Sequence, residues 1–266
     1  MSEDANYYDR FADHKQQNNP KPEKQKKEKY FETTYSLAKI FGYMFAGLFI
    51  TAAIALGLGI LLDYLLISEG VVSDTALIIF LVILITSSIA LIVMSFVVPI
   101  VAVRGKHSVL VPAIIYSVLM GVMLSAITAF IPWYLLGITF GVTSLMFGLM
   151  ALIALLSKSR LNGLAIVAIG LVTGAMVMSL ILFILMITNV MTGDLVWLYW
   201  VISLVMLVAI MLITIWDIAR IKQIAQQGEM TRNLSLYCAY ILYNDFIHVF
   251  IRVLRIVLII ASKAKR

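Results

Sequence analysis

The chain has 266 residues, of which 62% are hydrophobic and 13% are charged, and its mean hydropathy is +1.03. A soluble domain has about 45–50% apolar and 25% charged residues, so this composition predicts a polytopic membrane protein and excludes a separate soluble domain. The net charge of +6 does not indicate nucleic-acid binding, because most basic residues lie in the tail and in short loops, where membrane topology places them. The lone Cys238 excludes an intramolecular disulfide and a cysteine-rich metal site. We expect the lipid bilayer as partner and no nucleic acid.

The hydropathy pattern predicts an all-α polytopic fold. Residues 1–35 are polar and rich in lysine, which favours a disordered basic tail. Residues 36–261 form the predicted seven-helix transmembrane domain, and 262–266 form a basic C-terminal end. The hydrophobic stretches are long enough to cross a bilayer, which takes about 20 residues in a helix. The seven predicted spans are 38–66, 76–102, 108–131, 133–156, 161–188, 195–217 and 234–261.

Charges in the loops predict the orientation of the first six spans. The tail and alternate loops are basic, and the opposite loops carry acidic residues without lysine or arginine, so the N-terminus is predicted to be cytoplasmic. The last segment either crosses fully or is re-entrant, and the sequence leaves both open. The basic loop residues are Arg104, Lys106, Lys158, Arg160, Arg220, Lys222 and Arg232, and the acidic ones are Asp63, Glu69, Asp74 and Asp194.

The last span carries more ionisable residues than an anchoring helix needs. Asp245, His248, Arg252 and Arg255 follow at offsets of 0, 3, 7 and 10, within about one quadrant of a helix, with Asn244 on the same side. Each such group costs roughly 2.5–3.5 kcal/mol at membrane depth. We therefore predict that this stripe faces protein or a water-filled path, and that the other six helices surround the last one.

Two aspartates are the main candidates for chemistry. Asp217 closes the sixth predicted span, where pairing with Arg220 one turn on is the structural alternative. For Asp245 the alternative is a buried ion pair with Arg252 or a set of hydrogen bonds. If the two carboxyls lie close together they cannot both ionise freely and they share a proton. Such a pair would respond to pH and bind Ca²⁺ weakly, since Ca²⁺ prefers oxygen ligands.

Other residues give weaker indications. His248 is either a second proton sensor or a packing residue.

Motifs of the G-x-S-x-G, H-E-x-x-H, P-loop and G-x-G-x-x-G types are missing from the sequence, so we expect neither an enzyme nor a cofactor. The four-residue spacing in two glycine pairs predicts close helix contacts. These pairs are Gly137 with Gly141, and Gly170 with Gly174.

The segment LYCAYILYNDFIHVFIRVLRIV resembles the closing signature of the Bax inhibitor-1 family, L-x-L-Y-x-D-F-I-N-L-F-x-x-L-L-R. The segment ITIWDIARIK is similar to the family motif Y-D-x-x-x-I-K. The resemblance covers about residues 36–261 and includes both aspartates. The sequence departs from the usual family pattern at Asn244, His248, Trp216 and Arg160.

This resemblance implies a pH-sensitive calcium-leak channel whose last helix is wrapped by the other six. In such a channel Asp217 and Asp245 would share the sensing proton, Ca²⁺ and H⁺ would be the ions handled, and an arginine of the second helix, here Arg104, would latch the pair. The alternative is a regulatory protein that restrains a membrane protease or a cell-death or stress partner without conducting ions. We expect a multi-pass protein of the cell membrane, or of the endoplasmic reticulum if the source is eukaryotic.

Overall fold

The computed structural model describes residues 22–67, 74–105, 108–128, 131–157, 162–187, 196–228 and 230–264. These residues form seven helices, which agree one for one with the seven predicted hydrophobic segments. By length and composition six of the described helices can cross a membrane, and α7 is not among those six. The helices are α1 (Pro22–Ile67), α2 (Asp74–Arg104), α3 (Leu110–Thr128), α4 (Trp133–Leu156), α5 (Asn162–Ile187), α6 (Val196–Gln226) and α7 (Arg232–Ala264).

The first helix begins earlier than predicted. Residues 22–35, assigned above to a disordered tail, belong to α1. Lysine, glutamate and glutamine are good helix formers, and proline fits the first helical position because its missing N–H would have no partner there. A segment too polar to build a core can therefore still extend an apolar helix. Residues 1–21 lie outside the described part, and the basic end at 262–266 is described only as far as Ala264, the end of α7.

The last helix is the centre of the bundle. It packs against α1, α4 and α6, and also contacts α2 and α3, whereas α5 packs on α6. Its buried side chains include Leu242, Phe246 and Val249, which join the main core together with Met44 of α1 and Ile218 of α6. The predicted ring of six helices around the last one is thus corrected, within the described residues, to five.

Helices α1 and α3 approach each other closely at Gly121. A Cβ atom built on Gly121 would lie 2.8 Å from Cβ of Ile54 and 2.9 Å from the carbonyl oxygen of Thr51, so only glycine fits this crossing. The four-residue glycine spacing predicted close helix contacts at four other positions, namely Gly137, Gly141, Gly170 and Gly174. A Cβ atom built at any of the four would meet nothing within 4 Å in the described structure, so that prediction is wrong.

A lysine of α6 ties the end of α4 to the bundle. Lys222 Nζ donates to the carbonyl oxygens of Leu155 and of Ser157, the latter at 3.0 Å. The last carbonyls of a helix have no partner within the helix, and they form the negative end of its dipole. A half-buried cation placed there satisfies both needs and fixes the position of α4 against α6, the helix that carries Asp217.

Candidate functional site

The two predicted aspartates come together where α6 meets α7. Because α6 continues to Gln226, Asp217 lies inside the helix rather than at its end. Its carboxyl is within hydrogen-bond reach of the Asp245 carboxyl, which projects from α7. The pairing depends on tertiary packing, since the two residues are far apart in the chain.

The pair is arranged so that the two carboxyls differ in their access to solvent. Asp245 is buried and Asp217 is half-buried. Oδ2 of Asp245 receives no hydrogen bond from an N–H or O–H group in the described part of the chain. Ionised carboxylates only accept hydrogen bonds, so a bond between these two requires a proton on one of them. The geometry therefore suits one proton held by two carboxyl groups.

Thr214 is a third member of this site that the sequence analysis missed. It is fully buried one turn before Asp217, and its hydroxyl reaches both the Ile210 carbonyl, at 3.0 Å, and the Asp245 carboxyl. A hydroxyl has one proton, so it donates to only one of these acceptors at a time. Thr214 can therefore support an ionised Asp245 by turning away from the helix backbone. A polar residue three positions before Asp217 in an apolar helix was the available signal.

The cation that acts on the pair differs from the one that the resemblance suggested. Arg220 acts electrostatically on Asp217, and its guanidinium carbon lies 5.3 Å from the centre of the Trp216 ring. Arg104 is exposed at the end of α2, and it is not among the charged groups that act on either aspartate. In this structure Arg220, and not Arg104, is thus the arginine beside the pair.

The polar stripe of α7 does not face the protein along its whole length. Asp245 is turned into the bundle, but His248 and Arg255 are exposed. His248 lies within hydrogen-bond reach of the Asn244 carbonyl, and the charge of Arg252 acts on it. At about 100° per residue, His248 and Arg255 are rotated some 60–80° from Asp245, which is enough to leave the buried face. His248 and Arg255 therefore do not face the protein, which leaves the water-filled path as the predicted orientation for these two residues.

A second polar cluster joins α7 to α1 and α3. Thr51 Oγ1 donates to the Ser117 carbonyl at 3.0 Å, and Tyr243 Oη lies 2.6 Å from the same Thr51 oxygen. Since the one Thr51 proton goes to Ser117, Tyr243 is the donor to Thr51. Nearby, Tyr116 Oη donates to Asn244 Oδ1 at 2.9 Å. These bonds hold α7 in register with α1 and α3.

The Thr51–Tyr243 bond should appear in a double-mutant cycle. With Thr51→Val, Tyr243→Phe and the double variant, we expect a coupling energy of about 1 kcal/mol, because each single change removes the same buried hydrogen bond. Unfolding in mixed micelles, followed by circular dichroism, measures it. The exposed Tyr35, changed to Phe with Thr51→Val, should give no coupling. If the stability lost in the double variant equals the sum of the losses in Thr51→Val and Tyr243→Phe, the bond contributes nothing to stability.

The site offers few ligands for a metal ion. Among the described residues there is no group of three or more His, Cys, Asp or Glu side chains that could hold one. Ca²⁺ takes six to eight oxygens in a stable site. Asp217 and Asp245 supply at most four carboxylate oxygens, which suits brief contact with a passing cation rather than storage.

The sequence of the chain also matches a known protein family. A family model described as inhibitor of apoptosis-promoting Bax1 matches residues 33–263. The chain belongs to this Bax inhibitor-1 family. The match runs from α1 to the end of α7 and so includes Asp217, Asp245 and Lys222. No curated protein matches the chain. Membership thus establishes the kind of membrane protein.

Proposed function

We propose that this member of the Bax inhibitor-1 family is a passive, pH-sensitive Ca²⁺ leak pathway whose gate is the pair Asp217 and Asp245. The observation that carries the proposal is the contact between these two carboxyls at the junction of α6 and α7, with Asp245 buried. In this mechanism no covalent step takes place. Protons and Ca²⁺ compete for the same oxygens.

The gating follows from the electrostatics of a buried pair. With one shared proton, the pair carries a single negative charge and its hydrogen bond holds α6 against α7. Loss of that proton leaves two like charges in contact in a medium of low dielectric constant, which favours separation of the helices. A difference of one pKa unit between closed and open states shifts their balance by about 1.4 kcal/mol. Arg220, next to Asp217, is the cation that would then compensate the charge.

The proposed setting is the cell membrane with the N-terminus in the cytoplasm. Asp217 and Arg220 lie in the half of α6 that also carries Lys222 and leads to Arg232 at the start of α7. That placement would put the gate near the cytoplasmic side, where a change in cytoplasmic pH reaches it directly. Ca²⁺ would enter from the opposite face.

Purified protein in liposomes loaded with a Ca²⁺ dye, scanned from about pH 5 to pH 8, tests this function. We expect Ca²⁺ flux with a pH midpoint, and Asp245→Asn should abolish the pH dependence or move the midpoint by about one unit or more, because the pair can no longer share an acidic proton. Asp217→Asn should act in the same direction. Glu32→Gln is the matched control, since Glu32 is exposed on α1 and its loss should leave the profile unchanged.

Two outcomes would contradict the proposal. Flux with the wild-type pH profile in both aspartate variants would place the gate elsewhere. Absence of flux at every pH, in protein shown by circular dichroism to be folded, would instead support the regulatory protein that binds a membrane partner.

A further inference from the structure

A cavity of about 370 Å³ lies between α1 and α4. Its floor is α7, through Phe246 and Ile247, and α3 closes one end with Leu124 and Thr128. The two aspartates do not line it, and neither the ion pathway nor the polar cluster accounts for it. The cavity is therefore a separate feature of the bundle.

The cavity opens sideways through the wall of the bundle. In the described residues any contact between α1 and α4 is marginal, and the lining side chains nearest the surface are exposed, namely Leu56, Trp133 and Phe140. Trp133 begins α4 directly after the turn at Pro132, so the opening starts at one end of the apolar helices. From there it runs along α4 as far as Phe140, about 10 Å at 1.5 Å per residue. Its mouth faces the hydrocarbon of the surrounding bilayer.

The hydroxyl groups in the lining already have partners within the protein. Thr51 donates to the Ser117 carbonyl and receives a hydrogen bond from Tyr243. Thr128 Oγ1 lies 2.8 Å from the carbonyl oxygen of Ala55 and donates to it. Water requires two to four polar partners in a buried site, and a polar ligand requires convergent donors or acceptors. The other polar side-chain group in the lining is the indole N–H of Trp133 at the mouth, and a single donor does not meet either requirement, so the lining suits an apolar occupant.

We propose that this cavity binds an acyl chain of a membrane lipid, which enters sideways between α1 and α4. Its volume lies within the range of about 300–1,000 Å³ that is usual for ligand pockets. A lipid tail gains no hydrophobic transfer energy here, because the bilayer is already apolar; the gain is the dispersion contact that an empty cavity lacks. The chain would lie against Phe246, the residue after Asp245. The inference does not depend on the proposed ion flux.

Photo-crosslinking of full-length protein in phosphatidylcholine nanodiscs tests the site. The probe is a phosphatidylcholine with a diazirine in the middle of one acyl chain, and adducts are located by peptide mass spectrometry. Phe246 and Ile247 are each only 3% exposed, so adducts on them require a chain inside the cavity. Phe49, 76% exposed on α1, gives the reference for ordinary lipid contact. We expect adducts at all three residues in the wild type.

Two leucine substitutions on α4 form a matched pair. A Cβ atom at Gly137 or at Gly141 would meet nothing within 4 Å, but only Gly137 lines the cavity. Gly137→Leu should reduce adducts at Phe246 and Ile247, relative to Phe49, by about tenfold, equivalent to about 1.4 kcal/mol. Gly141→Leu should leave that ratio unchanged.

Two results would overturn the proposal, one from the wild type and one from Gly137→Leu. If the wild type gives no adducts at Phe246 and Ile247, or if Gly137→Leu gives as many as the wild type, the cavity does not hold a lipid chain. Ala52→Phe, on the opposite wall, repeats the test should Gly137→Leu fail to fold. Unchanged adducts at Phe49 serve as the check that the bundle is intact.

Discussion

Gly121→Leu is expected to lower the thermal midpoint of the detergent-solubilised protein by about 5–10 °C. The reason is steric. The first side-chain carbon alone would approach Cβ of Ile54 to 2.8 Å and the Thr51 carbonyl oxygen to 2.9 Å, and the second of these atoms belongs to the backbone and cannot rotate away. The helices α1 and α3 must therefore separate. Their separation also lengthens the 3.0 Å bond between Thr51 and Ser117, so one substitution affects packing and hydrogen bonding together.

A graded series separates this explanation from a general intolerance of glycine replacement. Gly121→Ala should already destabilise the protein, by about 1–3 kcal/mol. Gly141→Ala should leave stability unchanged or raise it, because that position has open space around it and glycine is the poorer helix former. Thermal unfolding followed by circular dichroism ranks all three. Equal midpoints for the Gly121 variants and the wild type would show that the crossing is looser than described.

Lys222→Met should destabilise the protein by about 1.5–3 kcal/mol, the range for hydrogen bonds to charged groups. Methionine keeps the length and much of the apolar stem but removes the ammonium group that both terminal carbonyls of α4 use. Those carbonyls lie at part-buried positions, so water replaces the lost donor only in part. The end of α4 should then become mobile, and amide hydrogen exchange should increase in its last turn.

Two further variants give this prediction its controls. Lys222→Arg keeps a cation with several donors and should recover a large part of the stability. Lys39→Met removes a lysine whose described contact is the Tyr43 ring at 6.0 Å, and it should cost less than about 1 kcal/mol. If Lys222→Met lowers the free energy of unfolding no more than Lys39→Met does, the α4 carbonyls do not depend on the ammonium group.

The helices were predictable because each bilayer-length apolar segment leaves a direct signal in the sequence. The two aspartates were recognisable as candidates for a related reason: an acid in an apolar helix is costly and needs a partner, and Asp217 and Asp245 were the available acids. Their contact depends on tertiary packing, which the sequence does not show. Thr214 gave a weaker signal, since threonine is common in such helices and usually bonds to its own backbone.

The remaining details depend on the packing of helices, which periodicity alone does not determine. The close crossing at Gly121 lies outside the four-residue glycine pattern, and Gly137 and Gly141 fit that pattern yet face open space. A quadrant on a helical wheel is also too broad to assign burial, and so it grouped Asp245 with His248 and Arg255. The choice of Arg104 came from the resemblance and from its place at the end of the second span. Arg220 is beside Asp217 instead, because it follows one turn later in the same helix, and this pairing was the alternative that the spacing offered.

The central position of α7 has a consequence for biosynthesis. A ribosome makes the seven described helices in order, so the helix at the centre of the bundle is made after the other six. Until it packs into the bundle, Asp217 does not have the Asp245 carboxyl to share a proton with, and the surfaces of α1, α4 and α6 that pack on α7 remain open. Completion of the core and assembly of the aspartate pair are therefore one event, which occurs only after the other helices are in place.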